Sequence, residues 1–153
     1  MSEKLNFPLP YDYSKDELNV YTFSTVSGVK YIAYFIEINY FETSKAYSFS
    51  FEKEEEGGRK THDIRVAATI ISIIKDFFIK NSDSLIYTCD NTDNRHQSRK
   101  IVFNRWFKSH SKDEFIIHDK EKDNLLMSII VENNNPLVKL IFKEFNDFFS
   151  FLE

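Results

Sequence analysis

Alternating side-chain character marks the first half of the chain as a set of β-strands. From Val20 to Thr25 aromatic residues alternate with hydroxyl residues, which indicates a strand with one covered face. Val29 to Ile38 is apolar on both faces, as is typical of a central strand. Ala46 to Phe51 alternates aromatic residues with serine and predicts a third strand. Ser27-Gly28, between the first two runs, predicts a hairpin turn.

The period then lengthens to that of a helix. Residues 52–60 form an acidic run that ends with two glycines and two basic residues, and this composition predicts a loop. Apolar residues recur every three to four positions from Ile64 to Lys80 and predict a helix that packs one face on the sheet. The polar residues of this segment fall on the opposite side: Arg65, Thr69, Ser72, Asp76 and Lys80.

The remaining segments predict one more strand, a basic helix, a hairpin and a final helix. Leu85 to Cys89 reads as a short buried strand, and the basic helix follows it to about His110. Residues 115–118 and 126–131 predict the hairpin. Asn135-Pro136 predicts a capped start for the final helix, which extends to Leu152.

The resulting order, β-β-β-α-β-α-β-β-α, predicts an α+β fold in which helices cover a single mixed, mainly antiparallel sheet. The strand, helix and strand between Ala46 and Cys89 predict a right-handed parallel crossover. Residues 1–19 are expected to be an N-terminal arm. Residues 20–153 are expected to form one domain, because 153 residues suffice for a single core.

Composition predicts an aromatic core and a cellular compartment for the protein. Sixteen Phe and eight Tyr stand against three Gly, so large flat side chains fill the interior. The net charge of -4 favours no class of partner. Cys89 is the only cysteine, which excludes an internal disulfide and favours a cytoplasmic protein. No run approaches the roughly 18 apolar residues of a membrane span, so no membrane partner is expected.

The junction between the strand ending at Asp90 and the following helix is the strongest candidate site, over residues 85–107. Helix starts favour acidic residues, yet Arg95 and Arg99 fall in the first turns of this helix. Two guanidinium groups at a helix start suit a phosphate, a nucleotide or a carboxylate. Alternatively, Asp90 and Asp93 cap the helix and pair with the arginines. The candidate anion site consists of charged residues at two helix starts: Asp63, Arg65, Asp90, Asp93, Arg95 and Arg99.

Three further kinds of chemistry rest on weaker patterns. The helix over residues 95–112 contains six basic residues and no acid, which suits a nucleic-acid backbone, although a solvated basic face is the commoner outcome. Cys89 lacks the local signature of a nucleophile and is expected in the core. The four histidines are scattered, and no metal site is predicted.

Three leading strands, a glycine-containing loop before a helix, a strand, a helix and a closing hairpin resemble the GCN5-related N-acetyltransferase fold. In that family the loop before the first core helix binds the acyl-CoA pyrophosphate through backbone N–H groups, with the pattern Q/R-x-x-G-x-G/A. The resemblance implies an acyl-CoA-dependent N-acyltransferase that holds acetyl-CoA at Gly57, Gly58 and Arg59. The nearest match to the pattern, residues 65–68, has no glycine at the expected places.

A second resemblance covers roughly the middle third of the chain. It rests on D-x-R-V-x-x-T-I from Asp63, Phe77-Phe78, L-I-Y-x-C-D from Leu85, and D-x-R-x-x-x-R-x-x-x-F-x-x-W-F from Asp93. These strings resemble a family of small Bacteroidota proteins that has no assigned activity. The resemblance implies a fold and leaves the mechanism open.

The leading hypothesis is a small cytoplasmic binding or protein-interaction domain without a cofactor. Its partner would be another protein or a small anionic ligand at the junction over residues 85–107. The alternatives are the acyltransferase with acetyl-CoA and a nucleic-acid-binding protein that uses residues 95–112. The sequence leaves open whether the protein is an enzyme.

Overall fold

The computed structural model describes residues 9–54, 64–80, 83–90, 105, 114–123 and 125–152. These residues form one seven-stranded mixed sheet with two helices, which confirms the predicted α+β class. The elements are β1 (Ser14–Lys15), β2 (Val20–Ser24), β3 (Lys30–Ile38), β4 (Ala46–Lys53), α1 (Ile64–Lys80), β5 (Ser84–Asp90), β6 (Phe115–Lys122), β7 (Leu125–Glu132) and α2 (Val138–Phe151).

The sheet consists of two antiparallel halves joined by one parallel pair. The strand order is β1-β2-β3-β4-β5-β7-β6. Within it, β4 and β5 run parallel and the other neighbours run antiparallel. The parallel pair is the one predicted between Ala46 and Cys89, and α1 connects its strands. β3 pairs on both sides, so the prediction of a central strand is confirmed.

Each face of the sheet has its own apolar cluster. On one face α1 buries Ile70, Ile73 and Ile74 against side chains that include Phe49 and Ile130. On the other face α2 buries one side that packs on β5 and β7; its core residues are Ile141, Phe145 and Phe149. The sheet is therefore covered by one described helix on each face. Neither of these two helices is long and apolar enough to cross a membrane.

The polar side of α1 was expected to face away from the protein, but it contacts other parts of the chain. The backbone N–H of Tyr11 donates to Thr69 Oγ1 at 2.7 Å, and Thr69 is fully buried. Farther along the helix the Tyr21 hydroxyl donates to Asp76 Oδ2 at 3.0 Å. Tyr side chains combine apolar area with a polar tip, so they can cover a polar helix surface. This side of α1 therefore holds the N-terminal arm and β2.

Two turns follow the sequence closely, and one helix start is displaced. Gly28 has a φ of 87° and closes the β2–β3 hairpin, as predicted. The last helix was expected to begin at Asn135-Pro136, but α2 begins at Val138. Asn135 Oδ1 accepts the N–H of Leu137 at 2.8 Å, so its side chain closes a turn before the helix. The predicted basic helix lies outside the described residues except for Arg105, which is helical and exposed.

We expect Thr69→Val to destabilise the protein while leaving the shape of the helix unchanged. The valine retains the volume of threonine but leaves the N–H of Tyr11 without an acceptor, a loss of about 1–3 kcal/mol. This loss lowers Tm by roughly 3–10 °C in a domain of this size. Ser72→Ala is the control, because Ser72 meets Tyr13 Oη only at 3.4 Å in a half-buried position. Equal losses in the two variants, measured by thermal unfolding, would contradict the role of Thr69.

Tyr21→Phe tests the contact between β2 and α1, because the stability that this contact contributes should depend on pH. Burial, followed by the hydrogen bond and charge of Asp76, raises the pKa of Tyr21 far above its usual 10.0. The folded state therefore retains this proton after the unfolded chain has released it. The stability contributed by Tyr21 is present below about pH 10 and declines as the pH rises further.

Urea unfolding of wild type and Tyr21→Phe at about pH 7 and about pH 11 measures this effect, since a tyrosine in an unfolded chain ionises near 10. We expect the wild type to be the more stable protein at the lower pH. The difference should shrink at the higher pH. A difference that stays constant or grows would contradict the assigned contact.

Candidate functional site

The parallel ladder between β4 and β5 stops before either strand ends. It runs from Ala46–Ser84 to Phe49–Tyr87. β4 continues to Lys53 through its pairing with β3, and β5 continues to Asp90 through its pairing with β7. Residues 50–53 and 88–90 therefore adjoin without being paired to each other. We call these two segments, where the pairing of β4 with β5 has ended, the split.

The split lies at the position in the sheet where ligands commonly bind. It begins where the parallel pairing of β4 with β5 ends, at Phe49 and Tyr87. It also lies at the carboxyl ends of two adjacent parallel strands, which is where α/β sheets most often place their ligands. Its position in the sheet therefore makes the split a candidate ligand site.

The two sides of the split differ in chemistry. On the α1 face the rings of Phe51 and Tyr87 stack, with centroids 6.0 Å apart and an interplanar angle of 13°. On the α2 face the strand alternation places Ser50 and Thr88 at the same level. Ser50 is half-buried and Thr88 is exposed. The split thus has an aromatic wall on one side and short hydroxyl side chains on the other.

Charged side chains of both signs surround the β4 end of the split. Glu52 and Lys53 are exposed, and the carboxylate of Glu54 meets Lys30 Nζ at 3.1 Å. The side chains of this ion pair remain about half exposed, so water screens it and it contributes little to stability. The described part of this end therefore carries no strong field of either sign.

The fold brings the two predicted loop sites to one edge of the sheet. The segment that follows β4 and the segment that follows β5 both leave from the split, because these strands are adjacent and parallel. Asp90 is the last residue of β5 and pairs with Leu125 of β7. The other predicted residues of these segments lie outside the described residues: Gly57, Gly58, Arg59, Asp63, Asp93, Arg95 and Arg99.

Arg65, which was predicted to bind an anion, contacts the N-terminal arm. Its Nε donates to the carbonyl of Leu9 at 2.9 Å, and Nη2 reaches the carbonyl of Pro10 at 3.4 Å. The guanidinium also lies over the ring of Tyr11, with Cζ 3.9 Å from the centroid. These contacts give Arg65 a role in holding the arm on the first turn of α1.

A polar row beside the split escaped the sequence analysis. Tyr87, Ser128 and Asp119 lie opposite one another across β5, β7 and β6. Ser128 is almost fully buried, and its hydroxyl donates to Asp119 Oδ1 at 2.5 Å. The one signal in the sequence is a serine that interrupts the apolar run of β7. This hydrogen bond gives the buried Ser128 hydroxyl a partner, so the pair has a structural role and needs no ligand to explain it.

The one histidine in the described part of the chain has packing contacts. His118 Nε2 meets Asn146 Oδ1 at 3.2 Å, and its ring stacks on Phe142 with centroids 5.0 Å apart. These contacts give His118 a packing role between β6 and α2. Cys89 pairs in register with Leu126 in the β5–β7 ladder.

The carboxyl groups with altered pKa lie at the other end of the sheet. Burial raises the pKa of Asp83, and the charge of Lys45 opposes this effect. Burial also raises the pKa of Glu132. Asp83 precedes β5 and Glu132 ends β7, whereas the split is at the carboxyl end of β5. These shifts therefore reflect local burial and do not extend the candidate site.

Comparisons with known proteins give one match. A family model described as a family of unknown function, DUF6169, matches residues 62–147. The matched region is more than half of the chain and contains α1, the β5 side of the split, the β6–β7 hairpin and most of α2. No curated protein and no solved structure gives a significant match.

Proposed function

Because the chain belongs to DUF6169, a family of unknown function, we propose its function from the geometry of the sheet. The protein is a small binding domain that holds an anionic ligand, a nucleotide or a related phosphate ester, at the split between β4 and β5. The observation that carries this proposal is the end of the parallel ladder at Phe49–Tyr87, several residues before the strands themselves end.

Several features around the split support an anionic ligand. Beyond the end of the ladder, Ser50 and Thr88 offer hydroxyl groups on the α2 face. The segment after β5 contains Arg95 and Arg99, whose guanidinium groups suit the oxygens of a phosphate. The segment after β4 contains Gly57-Gly58, where the backbone can approach a ligand closely. Both segments start at the split.

A second candidate function is acyl-CoA-dependent N-acyl transfer. The element order and the parallel pair bridged by α1 support the resemblance to the acetyltransferase fold. In that family the loop before the core helix binds the acyl-CoA pyrophosphate, and the corresponding segment here leaves β4 at the split. Tyr87, in the last β4–β5 pair, would donate its phenolic proton to the CoA thiolate that leaves as the acyl group passes to the substrate amine. Residues 65–68 lack the glycines of the family pattern.

A thermal-shift experiment with acetyl-CoA, ATP and pyrophosphate tests both functions. A ligand at a hundred times its Kd stabilises the folded state by about 2.7 kcal/mol. This corresponds to a rise in Tm of roughly 5–10 °C for a domain of this size. A response to acetyl-CoA alone supports the acyltransferase, whereas responses to ATP or pyrophosphate support the more general anion site. No response to any of the three at millimolar concentration would refute the proposed function.

Thr88→Trp tests whether the ligand binds at the split. Thr88 is exposed on the α2 face, so the fold can accommodate a larger side chain there. That side chain would obstruct the split. We expect the ligand-induced rise in Tm to disappear. Ser24→Trp is the matched control, because Ser24 is exposed at the end of β2, two strands away from β4. Loss of the response in both variants, or in neither, would argue against binding at the split.

Arg95→Ala and Arg99→Ala test whether these two arginines contribute to ligand binding. Each substitution is expected to abolish the rise in Tm while changing the stability of the free protein by less than about 0.5 kcal/mol. Arg105→Ala is the control, because Arg105 is an exposed arginine of the same basic stretch and should leave the response intact. Marked destabilisation by both of the first two substitutions would instead identify internal ion pairs with Asp90 or Asp93.

A further inference from the structure

The described part of the N-terminal arm, residues 9–19, is attached to the rest of the protein mainly through one buried side chain. Tyr11 is 8% exposed, Tyr13 is half-buried, and the other residues of this segment are exposed. The strand β1 within it pairs with β2 at two positions. A segment with few buried apolar contacts opens more easily than the core on which it lies. Attachment of the arm therefore depends on the site that receives Tyr11.

That site contacts every part of a tyrosine residue, and we call it the tyrosine pocket: Phe23, Val26, Arg65 and Thr69. The ring of Tyr11 stacks on Phe23, with centroids 6.2 Å apart and an interplanar angle of 17°. The guanidinium of Arg65 also lies over this ring, with Cζ 3.9 Å from the centroid. The N–H of Val26 donates to the Tyr11 hydroxyl at 3.2 Å, and the N–H of Tyr11 donates to Thr69 Oγ1 at 2.7 Å. Ring, hydroxyl and backbone are thus each recognised.

The tyrosine pocket also contacts the two residues that precede the tyrosine. Arg65 donates from Nε to the carbonyl of Leu9 at 2.9 Å and from Nη2 to the carbonyl of Pro10 at 3.4 Å. Proline fixes its own φ and favours extended backbone in the residue before it. The side chain of Leu9 is 77% exposed, so the pocket makes little demand on that position. These contacts suit an extended segment in which proline precedes tyrosine.

Release of the arm leaves the rest of the described structure with its own contacts. The hydroxyl of Thr69 donates to the carbonyl of Arg65 at 2.6 Å within α1, so it keeps a partner when the arm leaves. The start of β2 is held by a local turn, because Asp16 Oδ1 accepts the N–H groups of Leu18 at 2.8 Å and Val20 at 2.9 Å. The segment before this turn can therefore leave the tyrosine pocket while β2 stays in the sheet.

We infer that the tyrosine pocket is a binding site for an extended proline-tyrosine segment of another protein, and that the arm occupies it as a releasable internal ligand. The arm then acts as an autoinhibitory element, because an incoming segment must displace it. The apparent affinity for that segment is reduced by the fraction of molecules in which the arm has left. Phe23 lies in β2, which β3 separates from β4, so this site is distinct from the split and does not depend on the function proposed there.

Fluorescence anisotropy with a labelled peptide of residues 9–15, LPYDYSK, tests binding to the full-length protein. Tyr11→Ser removes the ring that holds the arm in the pocket. The peptide should therefore bind this variant roughly tenfold to a hundredfold more tightly than it binds wild type. A peptide with Tyr11→Ala should bind neither protein. Leu18→Ser is the matched control, because Leu18 lies in the same arm but is 80% exposed, and the peptide should bind this variant as it binds wild type.

Hydrogen exchange of the wild type tests release of the arm without a substitution. The N–H of Tyr11 is bonded to Thr69, so it exchanges when the arm leaves or the whole protein unfolds. Ala33 is fully buried in β3, which pairs on both sides, and reports on unfolding of the sheet. We expect the N–H of Tyr11 to exchange at least tenfold faster than that of Ala33, at a rate that low concentrations of urea leave unchanged.

The contrary outcomes are distinct from one another. Equal exchange rates and an equal urea dependence at Tyr11 and Ala33, or failure of Tyr11→Ser to fold, would show that the arm is part of the core and overturn the proposal. Equal affinity of the peptide for wild type and Tyr11→Ser, or binding that survives loss of the peptide's tyrosine, would overturn the tyrosine pocket as a binding site. Dimerisation of the wild type that Tyr11→Ser abolishes, measured by sedimentation, would replace the foreign segment with the arm of a second copy.

Discussion

A short parallel ladder, Ala46–Phe49 against Ser84–Tyr87, joins the two antiparallel halves of the described sheet. Adjacent parallel strands need a crossover connection, so this pairing also dictates that α1 lies between them in the chain. α1 in turn packs against both halves. The ring of Phe77 stacks on Phe35 of β3 at 4.7 Å, and Phe78 meets Phe115 of β6 at 4.9 Å. The helix therefore connects the halves where backbone pairing is brief.

The aromatic composition explains how a helix with a polar side can be enclosed. A solvated helix face would leave Thr69 and Asp76 in water, but Tyr11 and Tyr21 cover this side of α1 and supply partners for its polar atoms. Tyr21 buries its ring in the core and places its hydroxyl at the carboxylate of Asp76. Arg65 adds contacts with backbone carbonyls of the arm. The arm is thus held by directed polar contacts together with the burial of Tyr11 in the core.

Local periodicity predicted β2 to β7, α1 and α2, because their side-chain patterns are formed by neighbouring residues, but it did not predict the two-residue strand β1 within the expected arm. β3 was expected to be central from its two apolar faces, and the stripe of α1 was expected to be buried. The split was not predictable, because Ser50-Phe51 and Thr88-Cys89 continue the same alternation as the paired residues before them. Where a ladder ends depends on the course of the partner strand, which lies far away in the sequence. The cover of Thr69 was not predictable for the same reason, because the residues that cover it are distant in the sequence. The polarity of Thr69 alone does not show whether water or a protein group is beside it.

The two described helices are distributed unequally over the two halves of the sheet. α2 covers the half that contains β5 and β7, and of these two helices only α1 packs on the other half. Within the described part of the chain, the split therefore separates a region with a helix on both faces from a region with a helix on one face. An isoleucine exposed at 58% on a central strand loses the free energy that burial would supply.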